Sequence, residues 1–150
     1  MKNIFLGFIC LLAASMVAKA NETLPQGTWE VEQVTSEKNT DGKIQTVVYN
    51  STADIESHIP CPQKLEIHET GVILHYADEW KESASYSFKG DLLILFIPVG
   101  NQTYKCEIKD DTITLTATYQ YVKNDLSARP VKKTENIREK RIITFKKSNN

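Results

Sequence analysis

From residue 27 onward the chain alternates apolar and polar positions with a period of two, and turn-forming residues interrupt the alternation about every ten residues. After Gly27 it reads Thr28-Trp29-Glu30-Val31-Glu32, which turns Trp29 and Val31 to one face and the two glutamates to the other. A second strand is predicted over residues 43 to 49, after the turn-like Asn39-Thr40-Asp41-Gly42. Residues 51 to 62 lose the pattern and read as a short helix or an irregular crossing ended by Pro60 and Pro62. Residues 63 to 68 and 72 to 80 form a candidate hairpin about Glu69-Thr70-Gly71. Strands are then predicted over 83 to 89, 92 to 98, 103 to 109, 113 to 121 and 138 to 146. The clearest alternation sets Ile113, Leu115, Ala117, Tyr119 and Tyr121 against Thr112, Thr114, Thr116, Thr118 and Gln120. Residues 123 to 137 are polar, contain Pro130, and read as a long loop.

Eight to nine strands, short connections and little helix predict an all-β, antiparallel, up-and-down arrangement. Closure into a barrel removes the exposed edges such a meander otherwise carries. No linker or internal repeat divides the chain, so one domain is expected over 21–150.

The first twenty residues follow a different logic. Lys2 precedes an apolar run from Ile4 to Val17, and Ala18-Lys19-Ala20 places small residues at the two positions read by a signal peptidase. The run is about 14 residues, short of the roughly 20 a spanning helix needs. A signal peptide over 1–20, cleaved before Asn21, is therefore expected, with a secreted or periplasmic product and no membrane span in the mature chain. Cys10 lies inside the apolar run and makes a poor lipidation site. An outer-membrane barrel is disfavoured, because Glu30, Glu32, Ser83, Ser85 and Ser87 would face lipid.

Of 18 basic residues, Lys2 and Lys19 leave with the signal, so 16 remain against 19 acidic ones, a formal charge of −3. That balance argues against nucleic acid and against an anionic membrane surface. Two cysteines remain, Cys61 and Cys106. An oxidising compartment makes a disulfide between them the expectation, with two buried free thiols as the alternative. Asn21, Asn50 and Asn101 each begin an Asn-x-Ser/Thr sequence, which matters only in a host that glycosylates.

The residues carry no catalytic signature: no nucleophile elbow, phosphate loop or Cys-x-x-Cys. The chain is read as a non-enzyme without a cofactor. His68 and His75, with Glu66 or Asp78, lack a compelling third ligand, and His58 stands apart, so no metal site is assigned. The inward aromatics are more informative. Tyr86, Phe88, Tyr104, Tyr119 and Tyr121 alternate along three strand candidates and are expected to converge on one interior. They could pack as a plain core, or line a cavity for a small apolar or amphipathic molecule.

Gly27-Thr28-Trp29, opening the first strand after an export signal, resembles the Gly-x-Trp opening of the lipocalins and of bacterial lipocalin-like domains. The segment 92 to 115 is similar to those domains in pattern. The resemblance implies a calycin-type barrel in which Gly27 lets the chain enter the floor and Trp29 closes one end. It implies a basic residue from the last strand over the indole, with Arg138 and Arg141 as the positions able to supply it. The Thr-Asp-Tyr motif of the family is absent. The function implied is an exported carrier or sensor of a small, partly apolar molecule. The alternative is a protein-binding module such as an envelope or secreted protease inhibitor, with residues 21 to 26 as its inserting arm.

Overall fold

A computed structural model describes residues 22 to 124 and 134 to 149. The expected signal peptide, Asn21, and residues 125 to 133 of the expected loop lie outside the described residues. Nine strands form one antiparallel sheet in the order β2-β1-β3-β4-β5-β6-β7-β8-β9, and a further pairing of β1 with β9 closes it. The strands are β1 (Gly27–Thr40), β2 (Lys43–Tyr49), β3 (Lys64–Ile67), β4 (Val72–His75), β5 (Lys81–Lys89), β6 (Leu92–Ile97), β7 (Gly100–Lys109), β8 (Thr112–Asn124) and β9 (Thr134–Lys147). Eight of them make the barrel wall, and β2 is the ninth, outside it. One short helix, α1 (Thr52–His58), is capped by the Ser51 hydroxyl, which accepts from the Asp54 N–H.

Closure rests on the dual pairing of β1. Its first residues, Gly27 to Glu30, pair with β3, and from Val34 onward the same side of the strand pairs with β2. Its other side follows β9 from Trp29 to Thr40. A β-bulge lies between Val31 and Gln33. Without it a strict period of two would turn Gln33 and Thr35 inward. The extra residue resets the phase, so Val34 and Ser36 are buried instead.

Antiparallel succession sorts the connections into two ends. The turns at 68–71, 90–91 and 110–111 lie with Gly27 and Lys147 at the first end. This end is closed. Trp29 is buried and donates its indole N–H to the Pro25 carbonyl at 3.2 Å, while Leu24 is buried beside it. The Glu22 N–H reaches the Phe88 carbonyl at 2.9 Å, so residues 22 to 26 pack along the barrel floor and do not stand out as an arm. Gly71 fits its turn because it lacks a side chain: a Cβ there would sit 2.9 Å from the Ala84 carbonyl oxygen.

Beyond the barrel wall, β8 and β9 continue as a paired ribbon to Asn124 and Thr134, and β1 and β2 run beside them. Lys123, Asn124 and residues 134 to 137, expected in a loop, are strand. Their alternation was hard to read because this four-stranded arm is solvated on both faces. The floor half of the interior is tightly packed by apolar side chains. A space of about 10 Å³ remains among Leu24, Leu65, Ile67, Val72, Leu74, Leu93, Leu95, Ile113 and Leu115, too little for a ligand.

Candidate functional site

The open end of the barrel is built around Glu139, a carboxylate almost wholly removed from solvent. Three elements place its partners. Ser36 of β1 donates its hydroxyl to Glu139 Oε1 at 2.9 Å. Arg141, two residues along β9 on the same face, donates from Nε at 3.2 Å and Nη2 at 3.0 Å to that same oxygen. Tyr121 of β8 donates to Oε2 at 3.4 Å. Burial opposes the charge on Glu139, but the hydrogen bonds from Ser36 and Arg141 and the charges of Arg141 and Lys38 outweigh it, and the carboxyl is held below its usual range.

Arg141 then ties this cluster to the rest of the mouth. Its guanidinium lies over the Tyr119 ring, 4.9 Å from the centroid, and its Nη1 donates to the Pro60 carbonyl at 3.2 Å. The connection from α1 to β3 is thus pinned against the barrel, with Ile55, Ile59 and Cys61 buried beneath it. Tyr104 donates to Gln102 Oε1 at 2.6 Å, and burial followed by the neighbouring Tyr119 and Tyr76 pushes its hydroxyl up. Burial and Glu82 raise Tyr76 to about 12. These tyrosines stay protonated and serve as hydrogen-bond donors.

The five aromatic positions expected to line one cavity divide between the two ends. Tyr86 accepts from the Leu24 N–H at 3.2 Å and donates to the Glu69 carbonyl at 3.3 Å, beside the closed end. Phe88 is buried core. Tyr104, Tyr119 and Tyr121 gather at the open end, and the last two are about 40% exposed at its rim.

The basic residue over Trp29 is neither Arg138 nor Arg141. It is Lys147, whose Nζ lies 5.8 Å from the indole centroid. The reason is register: β9 runs antiparallel to β1, so Trp29 meets Lys147, Ser36 meets Arg141 and Asn39 meets Arg138. At the strand rise, the two arginines sit about 20 and 30 Å farther along. The Cys61–Cys106 disulfide is likewise not formed. Both residues are buried free thiols. Cys61 follows Pro60 under Arg141 at the open end, whereas Cys106 pairs with Leu115 in the wall and bonds by its N–H to the Asp91 carbonyl near the closed end. Burial lifts Cys61 to about 11, against the pull of Arg141, and Cys106 to about 12.

Glu139, Ser36, Gln102 and Tyr76 were not legible as site residues. A buried glutamate in a segment of alternating charge has no signal in a single sequence. Its one clue was that Glu139 and Arg141 share the inward phase of Ile143 and Phe145.

Outward of this cluster the arm forms a trough of about 530 Å³ lined by Lys38, Lys43, Ile44, Tyr121, Lys123 and Ile137 among others. The tips around it expose apolar side chains: Ile44 at 72%, Trp80 at 56%, Val99 at 83% and Val122 at 54%. Trp80 is held by stacking on Tyr76 at 4.6 Å. On the outer wall, His75 Nε2 and Lys64 Nζ both lie within 3.0 Å of Glu66 Oε1. Desolvation and then Lys64 lower the His75 pKa. Among the described residues no group of three or more His, Cys, Asp and Glu could hold a metal ion.

Fold and site together define a closed antiparallel β-barrel with a packed floor and a polar, partly aromatic mouth. No family model matches the chain. No curated protein matches it either. Among solved structures it is similar to part of a Bacteroides ovatus multidomain protein that includes DUF1735, at 11% identity and a TM-score of 0.28, over 79% of this chain and 55% of that one. The chain thus spans about half the length of that protein, and a likeness at this level carries no argument.

Proposed function

We propose that this chain is an exported, non-catalytic binding module of lipocalin-like descent that recognises a protein at the open end of its barrel. The observation that carries this reading is the packing of the floor half of the barrel, where about 10 Å³ of space among Leu24, Leu65, Leu93 and Leu115 leaves no room for a carried molecule. The most exposed apolar side chains, Ile44, Trp80, Val99 and Val122, stand on tips at one end and could supply binding energy. Trp80 is an aromatic anchor of the kind that dominates such contacts, and Ile44, Val99 and Val122 add aliphatic area. With Leu24 buried and Glu22 bonded to Phe88, an inserting N-terminal arm does not contribute. The Gly27-Thr28-Trp29 opening supports the lipocalin-like descent, and the apolar run before Ala20 supports export.

Native mass spectrometry of the protein purified from its own host tests the reading. The expected result is a mature chain starting at Asn21 and a protein partner whose binding weakens at least tenfold in Trp80→Ser and Val99→Ser. A co-purifying molecule of a few hundred daltons, with no protein partner, would overturn it.

One observation favours a second reading. The trough of about 530 Å³ offers Tyr121 and Ile137 as apolar walls among charged groups of both signs, Lys38, Lys43 and Lys123 with Asp41 and Glu135. A small amphipathic molecule suits that chemistry, bound outside the barrel wall. Saturable binding of a fatty acid that disappears in Tyr121→Ala would support this reading over the first.

A further inference from the structure

The arm beyond the barrel has one edge on β8 past Thr116 and the other on β2, which among the described residues pairs with β1 alone. Its second edge therefore presents a row of backbone groups outside any ladder. Exposed edges are ordinarily guarded by proline, inward charge, a bulge or extreme shortness. From Ile44 to Tyr49 β2 has none of these. Its seven residues keep continuous register with β1, contain no proline, and carry one charge, Lys43, at the first position. Ile44, Thr46, Val47 and Val48 are β-branched and suited to a strand. Ile44 and Val48 share the outward face and are both exposed.

We propose that β2 is a dimerisation edge, and that its partner is β2 of a second copy, paired antiparallel about a two-fold axis through Thr46. The argument is self-complementarity. This register uses every residue of the strand. It sets Ile44 against Val48, Gln45 against Val47, Thr46 against itself, and Lys43 against Tyr49. Apolar side chains meet on the outward face. On the other face the lone cation meets an aromatic ring that His58 already holds, stacked at 5.4 Å. No like charges oppose each other. An axis at Gln45 or Val47 leaves residues unpaired and separates Ile44 from Val48. The resulting contact is isologous and closed, and it joins two four-stranded arms into one continuous sheet.

The proposal shares Ile44 with the partner reading above but not Trp80 or Val99, so Trp80→Ser and Val99→Ser should leave self-association unchanged. Sedimentation of the full mature chain at concentrations up to about 1 mM tests it, a range that detects even weak association. A reversible dimer is expected. Thr46→Lys places two lysines across the axis and should weaken association at least tenfold; Thr46 is exposed, and an unchanged melting curve verifies the fold. Thr46→Cys should form a disulfide-linked dimer on mild oxidation, because residues facing across an antiparallel pair lie about 4.5–5.5 Å apart. Lys43→Cys should not, because its copy lies about 20 Å away along the strand. A strictly monomeric wild type overturns the proposal. So do a dimer indifferent to Thr46→Lys, equal cross-linking from Lys43→Cys, or oligomers that grow without limit, which would signal pairing of β2 with another strand.

Discussion

Trp29 and Lys147 face each other across the β1–β9 ladder, and the lysine ammonium lies 5.8 Å from the centre of the indole ring. The relationship joins the first strand to the last at the closed end of the barrel. The indole is almost fully buried, and its N–H is satisfied by the Pro25 carbonyl. Trp29→Ala should destabilise the fold by about 3–5 kcal/mol, the range for a buried large aromatic. Lys147→Met should cost no more than about 1 kcal/mol, as befits an exposed cation over a ring. Denaturant unfolding of both variants measures the difference. A loss below about 1 kcal/mol in Trp29→Ala would remove Trp29 from the core.

Glu139 and Arg141 should behave as a coupled pair. Arg141→Ala strands a buried carboxylate, and the expected cost is about 3–5 kcal/mol. Arg141→Ala combined with Glu139→Gln should recover much of that loss. A double-mutant cycle on unfolding free energy reads the coupling, and strict additivity would mean the two side chains act separately.

The same carboxyl gives stability a pH dependence of defined sign. Burial opposes its charge, but Ser36, Arg141 and Lys38 hold its folded pKa below the usual value. Its contribution is therefore fully present above the unfolded carboxylate pKa, roughly 4.3. It is lost as pH falls through the depressed folded value. Wild type should lose more stability than Glu139→Gln as pH is lowered from about 5. Parallel curves for the two proteins would contradict this.

Cys61 and Cys106 should resist thiol reagents in the native state and react after unfolding. Both are buried, and burial holds both thiols protonated well above neutral pH. A reducing agent should leave the melting temperature unchanged. A two-dalton mass deficit in the native protein would show a bond this arrangement lacks.

Gly71→Ala should lose about 1–3 kcal/mol, the usual range for an overpacked site. The added methyl meets the Ala84 carbonyl oxygen at 2.9 Å, and backbone yields little. A thermal melt measures it.

Much of the barrel was already present in one-dimensional pattern. Alternation from Ile113 to Tyr121, or Ala84 to Phe88, reports a strand and its inner face because successive side chains point to opposite sides of a sheet. Turn residues such as Gly90-Asp91 and Asp110-Asp111 mark where strands reverse, since few other residues take those backbone angles. The number of strands, their antiparallel sense and the burial of Trp29 follow from such local rules. What the sequence could not decide was which strands meet and at what register. The bulge between Val31 and Gln33 moves every later residue of β1 to the opposite face, and no local preference announces it. Register alone chose Lys147 over Arg138 and Arg141 as the cation at Trp29. It also separated Tyr86 from Tyr104, kept Cys61 from Cys106, and brought Ser36 to Glu139 across 103 residues of chain. Those pairings rest on the free energy of closing the whole barrel. That sum runs over contacts far apart in sequence, so no stretch of the chain holds the information by itself.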